Sequence, residues 1–178
     1  MKLKFFSLFI TVFTIMVFSF SCSKDENNAA TTPFEVRIHD TLFHSSAIHA
    51  KAMYNAFSKS IEIKGQNANQ TQTLIIEMSP LAKHSGTWDV GTYDFDVKHV
   101  NNEEYVLKAK FVLYEDNAYQ TWVSNWTYVK TGSVAIKYFS SSRIRGSFSF
   151  DLVKQNTDNT FNANNIIKFT AGNFDMPF

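Results

Sequence analysis

From Arg143 to Val153 the chain reads RIRGSFSFDLV. Ile144, Gly146, Phe148, Phe150 and Leu152 alternate there with Arg143, Arg145, Ser147, Ser149 and Asp151. Successive side chains of a β-strand point to opposite faces, so this stretch has one dry face and one wet face. The same alternation runs through YVLKAKFVLY (105–114), where Tyr105, Leu107, Ala109, Phe111 and Leu113 oppose Lys108 and Lys110. Phe34, Val36 and Ile38 begin another such run, and Ile61 and Ile63 begin a third. TLIIEMS (73–79) reads as a buried strand stopped by Pro80. Apolar residues three and four apart over about 11 or more positions, the mark of a helix, are not found after residue 33. Polar clusters at 55–59, 66–72, 101–104, 140–142 and 156–165 separate the runs as turns. Without helices to make parallel crossovers, the expectation is all-β: an antiparallel β-sandwich or flattened barrel of roughly 9–11 short strands.

Five glycines head strand-like pentads: GTWDV at 86, GTYDF at 91, GSVAI at 132, GSFSF at 146 and GNFDM at 172. The third and fifth residues of each then share a face, and four of the five put an aromatic ring third. The pentads read as a device that lets the chain turn at glycine and starts each strand with a core-facing ring. Their irregular spacing excludes a solenoid.

The beginning of the chain has a different character. Lys2 and Lys4 precede an apolar run from Phe5 to Phe20, 16 residues long and shorter than the ~20 a membrane-spanning helix needs. Small Ser21 follows, then the polar, charged SKDENN. This is the layout of a secretory signal peptide, residues 1–21. Cys22 is the one cysteine of the chain and has no internal disulfide partner. Its position resembles the lipobox of bacterial lipoproteins, with Ser19 standing where an aliphatic residue is usual. The resemblance implies cleavage before Cys22 and acylation of its thiol and new amino group. Several acyl chains anchor firmly, at ~0.8 kcal/mol per buried methylene. Lys24, Asp25 and Glu26 resemble the signal that sends such lipoproteins to the outer face of the outer membrane. Residues 22–33 are then a polar, disordered tether, and 34–178 form one domain.

Loss of residues 1–21 leaves 157 residues with 15 basic and 16 acidic side chains. That balance favours neither nucleic acid nor an anionic surface as a partner.

The succession GTYDF, a long aromatic loop, TGSVAIKYF, RIRGSFSF and FTAGNFDMPF resembles a family of small Bacteroidetes-type outer-membrane lipoproteins whose domain is of unknown function. The resemblance spans 34–178 and is densest at 132–139, 146–150 and 172–178. It implies an all-β fold and surface or periplasmic tethering, and it carries over no catalytic residue.

Candidates for chemistry are few. His39, His44 and His49 recur every five residues, so at most His39 and His49 share a strand face, about 33 Å apart. Two such histidines do not make a metal site; no metal or other cofactor is expected. Asp94 and Asp96 flank Phe95 on one strand face and offer a weak hydrolase reading, but any solvated strand looks the same. With Cys22 the sole cysteine, thiol catalysis is excluded. The remaining candidate is YEDNAYQTWVSNWTY (114–128), which sets rings among amides and hydroxyls. At strand period Trp122, Trp126 and Tyr128 share a face, a candidate platform for a glycan or a protein partner; core packing of these rings is the competing reading. The expectation is a non-enzymatic, lipid-anchored, outward-facing domain that binds or presents a glycan or envelope protein. The alternative is a structural subunit of an envelope complex without a small ligand.

Overall fold

The computed structural model describes residues 32–81, 88–95, 105–125, 127–129 and 132–178. Eleven strands are present among them: β1 (Phe34–Ile38), β2 (Thr41–Ser45), β3 (Ala50–Tyr54), β4 (Ile61–Gln66), β5 (Gln72–Pro80), β6 (Gly91–Asp94), β7 (Tyr105–Glu115), β8 (Ala118–Val123), β9 (Gly132–Phe139), β10 (Arg143–Gln155) and β11 (Phe161–Pro177). Every pairing is antiparallel, in the order β2-β1-β11-β10-β8-β7-β5-β4-β3. This is the all-β fold the alternation implies, nearly closed into a barrel.

β8 and β9 lie end to end along one side of β10. Val123 to Thr121 pair with Val153 to Gln155, and Phe139 to Gly132 pair with Ile144 to Phe150. β6 then pairs with β9. The ring is closed where β2 meets the end of β4, by the Ser45 hydroxyl on the Gln66 carbonyl (2.6 Å), while Gln66 N–H on the His49 carbonyl (3.1 Å) extends the β3–β4 ladder at the same corner.

The turns follow local chemistry. His39-Asp40 and Asp116-Asn117 have positive φ at both positions (50° and 69°; 53° and 61°), the two-residue loop whose twist matches antiparallel strands. The cluster at 156–165 is a turn only as far as Thr160; Asn156 N–H reaches the Thr160 carbonyl, and β11 starts at Phe161. The strands are also longer than expected there, 13 residues in β10 and 17 in β11, because two bulges let β11 bend with the barrel wall. One lies at Ala171, with φ 51°, and the other within 163–165.

Every second residue of β10 from Ile144 to Leu152 is buried, as the alternation requires. The core joins these to Phe34, Leu74, Ile76, Phe111, Phe169 and Phe174. Gly146 and Gly172 sit inside strands rather than at their heads, so turning is not their role. Gly146 pairs with Phe174 and Gly172 with Phe148, and each ring lies over its partner glycine. At one end of the barrel Tyr54, Phe139 and Phe178 meet at 5.5–5.7 Å between ring centres. Trp88, Tyr93 and Tyr105 form a second aromatic trio, tied to the β3–β4 turn by Trp88 Nε1–H on the Lys59 carbonyl (2.6 Å).

Candidate functional site

The aromatic segment divides where β8 ends. Phe111 and Trp122 are cross-strand neighbours and both face the core. Trp122 is 5% exposed, and its Nε1–H donates to Asn165 Oδ1 (2.9 Å), an acceptor supplied by the bulge in β11. Lys154 Nζ lies 5.5 Å from the centre of the Trp122 ring and donates to Gln120 Oε1 (2.8 Å). Trp122 is therefore part of the core, with no face open to a ligand.

After Val123 the strand stops. Asn125 Oδ1 accepts from Thr127 N–H, and the Asn125 carbonyl accepts from Tyr128 and Val129 N–H (3.0 and 2.8 Å). This side-chain-driven turn resets the strand phase. Tyr128 faces outward, 42% exposed, and stacks on Phe161 of β11 with ring centres 5.3 Å apart. Trp126 lies outside the described residues, as do Cys22, Lys24, Asp25, Glu26 and Asp96. The single-face alignment of Trp122 and Tyr128 does not occur, because the alternation that would produce it ends at Asn125.

A different pair of rings takes the exposed position. Tyr114 and Tyr119 oppose each other at the tip of the β7–β8 hairpin, ring centres 4.9 Å apart and 39% and 75% exposed. Both sit on the outer face, since Leu113, one residue along from Tyr114, packs against the core. Tyr114 OH donates to Asn117 Oδ1 (3.4 Å). Along the same outer face the ladder runs Val112, Thr121, Gln155, Phe161 across four strands. With strands ~4.8 Å apart and ~3.3 Å per residue, Tyr119 stands about 12 Å from Phe161. Two ring pairs, Tyr114–Tyr119 and Tyr128–Phe161, thus flank a floor of one hydroxyl and one amide from Thr121 and Gln155.

The other candidates are dispersed. The backbone N–H of Asp94 donates to Tyr105 OH (3.1 Å). The Tyr93 hydroxyl donates to the Asp89 carbonyl (2.9 Å) and accepts from its N–H (3.1 Å); burial raises this phenol above its ordinary value. His39 sits in the β1–β2 turn and His49 between β2 and β3, so no strand carries both. Among the described residues no three His, Cys, Asp or Glu side chains gather as metal ligands. A groove on the outer face of β1, β11, β10 and β9 is lined by Glu35, Lys137, Arg145 and Asp175. Its charges are mixed in sign, and Asp175 is engaged by Arg143 Nε (2.6 Å), which raises the guanidinium further above its ordinary value.

Strand alternation located the aromatic segment but missed Tyr114 and Tyr119 as its exposed pair. The signal was present: both flank Asp116-Asn117, a hairpin-turn dipeptide, and tip positions next to such turns are solvent-exposed. No curated protein and no solved structure matches the chain. Residues 30–175, which include β1 to β10 and β11 as far as Asp175, match the family described as a domain of unknown function, DUF6252, and the chain belongs to that family.

Proposed function

We propose that the chain is a lipid-anchored, outward-facing β-domain that binds an extended glycan on the outer face of β7, β8, β10 and β11, without catalysis. One observation carries the ligand class: two ring pairs, with Tyr114, Tyr119 and Tyr128 exposed and Phe161 half-buried, about 12 Å apart across a hydroxyl and amide floor. Sugar rings offer an apolar C–H face to aromatic rings and hydroxyls to amides, so stacking at two points with hydrogen bonds between them suits a short oligosaccharide stretch. A protein partner calls for a continuous apolar centre shielded by a rim, which this polar floor interrupts. Anchoring is supported by the signal-like segment 1–21, by Cys22 directly after it, and by the start of the family match at residue 30, which leaves both outside the matched domain. Lys24, Asp25 and Glu26 support the outward address.

The ligand reading is tested with the full chain in detergent by affinity electrophoresis through gels holding neutral polysaccharides. Retardation by at least one of them is expected, and Tyr119→Ala should weaken it about tenfold, near 1.4 kcal/mol. No retardation by any polysaccharide, or equal retardation of Tyr119→Ala and Tyr128→Ala with the parent, ends the proposal. Anchoring is tested separately: Cys22→Ala should lose fatty-acid label and membrane association. Replacing Lys24, Asp25 and Glu26 by alanine should protect the protein from protease added to intact cells.

A further inference from the structure

The chain reaches the barrel at one end. The Pro33 carbonyl accepts from Asp175 N–H (2.9 Å), which places the start of β1 beside the last residues of β11. The same end carries the β3–β4 turn, since Tyr54 at its edge packs on Phe178 with ring centres 5.7 Å apart. Phe57 stands on that turn and is 98% exposed, more than any other large apolar side chain among the described residues. It is held there. Asn55 Oδ1 accepts from Phe57 and Ser58 N–H (3.0 Å each), Asn55 N–H reaches the Ser60 carbonyl (2.9 Å), and Trp88 fastens the Lys59 carbonyl. Val90, two residues beyond Trp88, is 69% exposed.

We infer that this end of the barrel docks on the lipid surface, with Phe57 as the inserted ring. The inference rests on the anchoring of Cys22 proposed above. Nine residues separate Cys22 from Thr32, so the bilayer lies within about 32 Å of this end at full extension. Phenylalanine is among the side chains that peripheral proteins bury at the headgroup–acyl boundary. One ring binds poorly from free solution, but a chain already tethered presents it at high effective concentration, where a single contact sets orientation. A single phenylalanine and a valine are too small for a stable protein–protein interface, which buries ~1,200 Å² or more. β7 runs from Tyr105 at the tether end to Tyr114, about 30 Å along the strand, so docking holds the Tyr114–Tyr119 platform away from the membrane.

The test uses the acylated chain in phosphatidylcholine vesicles, plain or with brominated acyl chains, and the variants Phe57→Trp and Tyr119→Trp. Phe57→Trp should lose at least half of its added emission in brominated vesicles, while Tyr119→Trp and the parent keep theirs. Co-flotation with vesicles but equal Phe57→Trp emission in both lipids overturns the docking and leaves the anchor standing. Failure of the parent to co-float overturns the anchor and the docking with it.

Discussion

Gly146 and Gly172 hold a reciprocal exchange across the β10–β11 ladder, in which each gives up its side chain to make room for the other strand's phenylalanine. A Cβ on Gly146 would run into the Ala135 carbonyl oxygen and the Phe174 ring, and one on Gly172 would meet the Phe148 ring at 2.5–2.6 Å. Ala135 is backbone in the neighbouring strand and cannot yield, so Gly146→Ala should cost about 1–3 kcal/mol by overpacking. Gly91 has open space around it, and Gly91→Ala should stay within about 0.5 kcal/mol. Urea midpoints separate the two; equal midpoints would remove the packing explanation. Tyr93 makes a second prediction. Burial raises its phenol above 10.0, so the folded state holds this proton more tightly than the unfolded chain does. Its contribution is complete below pH 10 and is lost as pH rises through the folded value. Between pH 9 and 11 the parent should therefore lose stability more steeply than Tyr93→Phe, as read from urea midpoints across that range.

The β7–β8 hairpin joins two opposite kinds of aromatic position within one turn of chain. Trp122→Ala removes a buried ring with its hydrogen bond to Asn165 and should cost about 3–5 kcal/mol. Tyr119→Ala, three residues earlier, should leave the melting temperature of the chain unchanged within a few degrees. A large loss from Tyr119→Ala would place it in the core and take it out of the binding site. Which residues of β7 and β10 face inward was legible in the sequence, because a single period of two spans each strand. The phase of 124–129 was not: the Asn125 turn breaks the count, and an asparagine among serines, threonines and other asparagines does not announce it. The bulges of β11 were hidden for a related reason. FNANNII reads as turn residues, yet Asn162 Oδ1 caps Asn164 N–H and Asn165 reaches Trp122, so the segment is irregular strand. The pairing of β6 with β9 joins segments about forty residues apart, and alternation within each says nothing about its partner. The pentads placed core-facing residues correctly at Val134, Phe148 and Phe174; Gly132 heads its strand at positive φ as expected, but Gly146 and Gly172 serve neighbouring rings rather than turns.

Closure of the barrel depends on a seam that lies across the ring from the proposed glycan face. Counting strands around the ring, β8 stands farthest from the junction of β2 and β3. That junction has no strand ladder; the Ser45 hydroxyl on the Gln66 carbonyl of β4 crosses it, and Gln66 is fixed in turn by its N–H on the His49 carbonyl. Ser45 is the one polar side chain buried among the described residues, 1% exposed, and its hydroxyl satisfies the Gln66 carbonyl. The Gln66 side chain meanwhile reaches Thr73 Oγ1 (3.1 Å) and holds the β4–β5 edge against the same corner. Ser45→Ala leaves that part-buried carbonyl without this donor, at a cost of about 1 kcal/mol. The loss belongs to the seam. Amides of β2, β3 and the Gln66 region should exchange with deuterium several-fold faster, corresponding to about 1 kcal/mol of local opening. Amides of β10, paired on both sides along most of its length, and those of β11 at 169–174, flanked by β1 and β10, should keep the parent's protection. Polysaccharide retardation should be unchanged as well, because β7, β8, β10 and β11 carry the platform without the seam. Uniform acceleration across all strands would show instead that closure and core form one cooperative unit, and the seam would then have no separate existence.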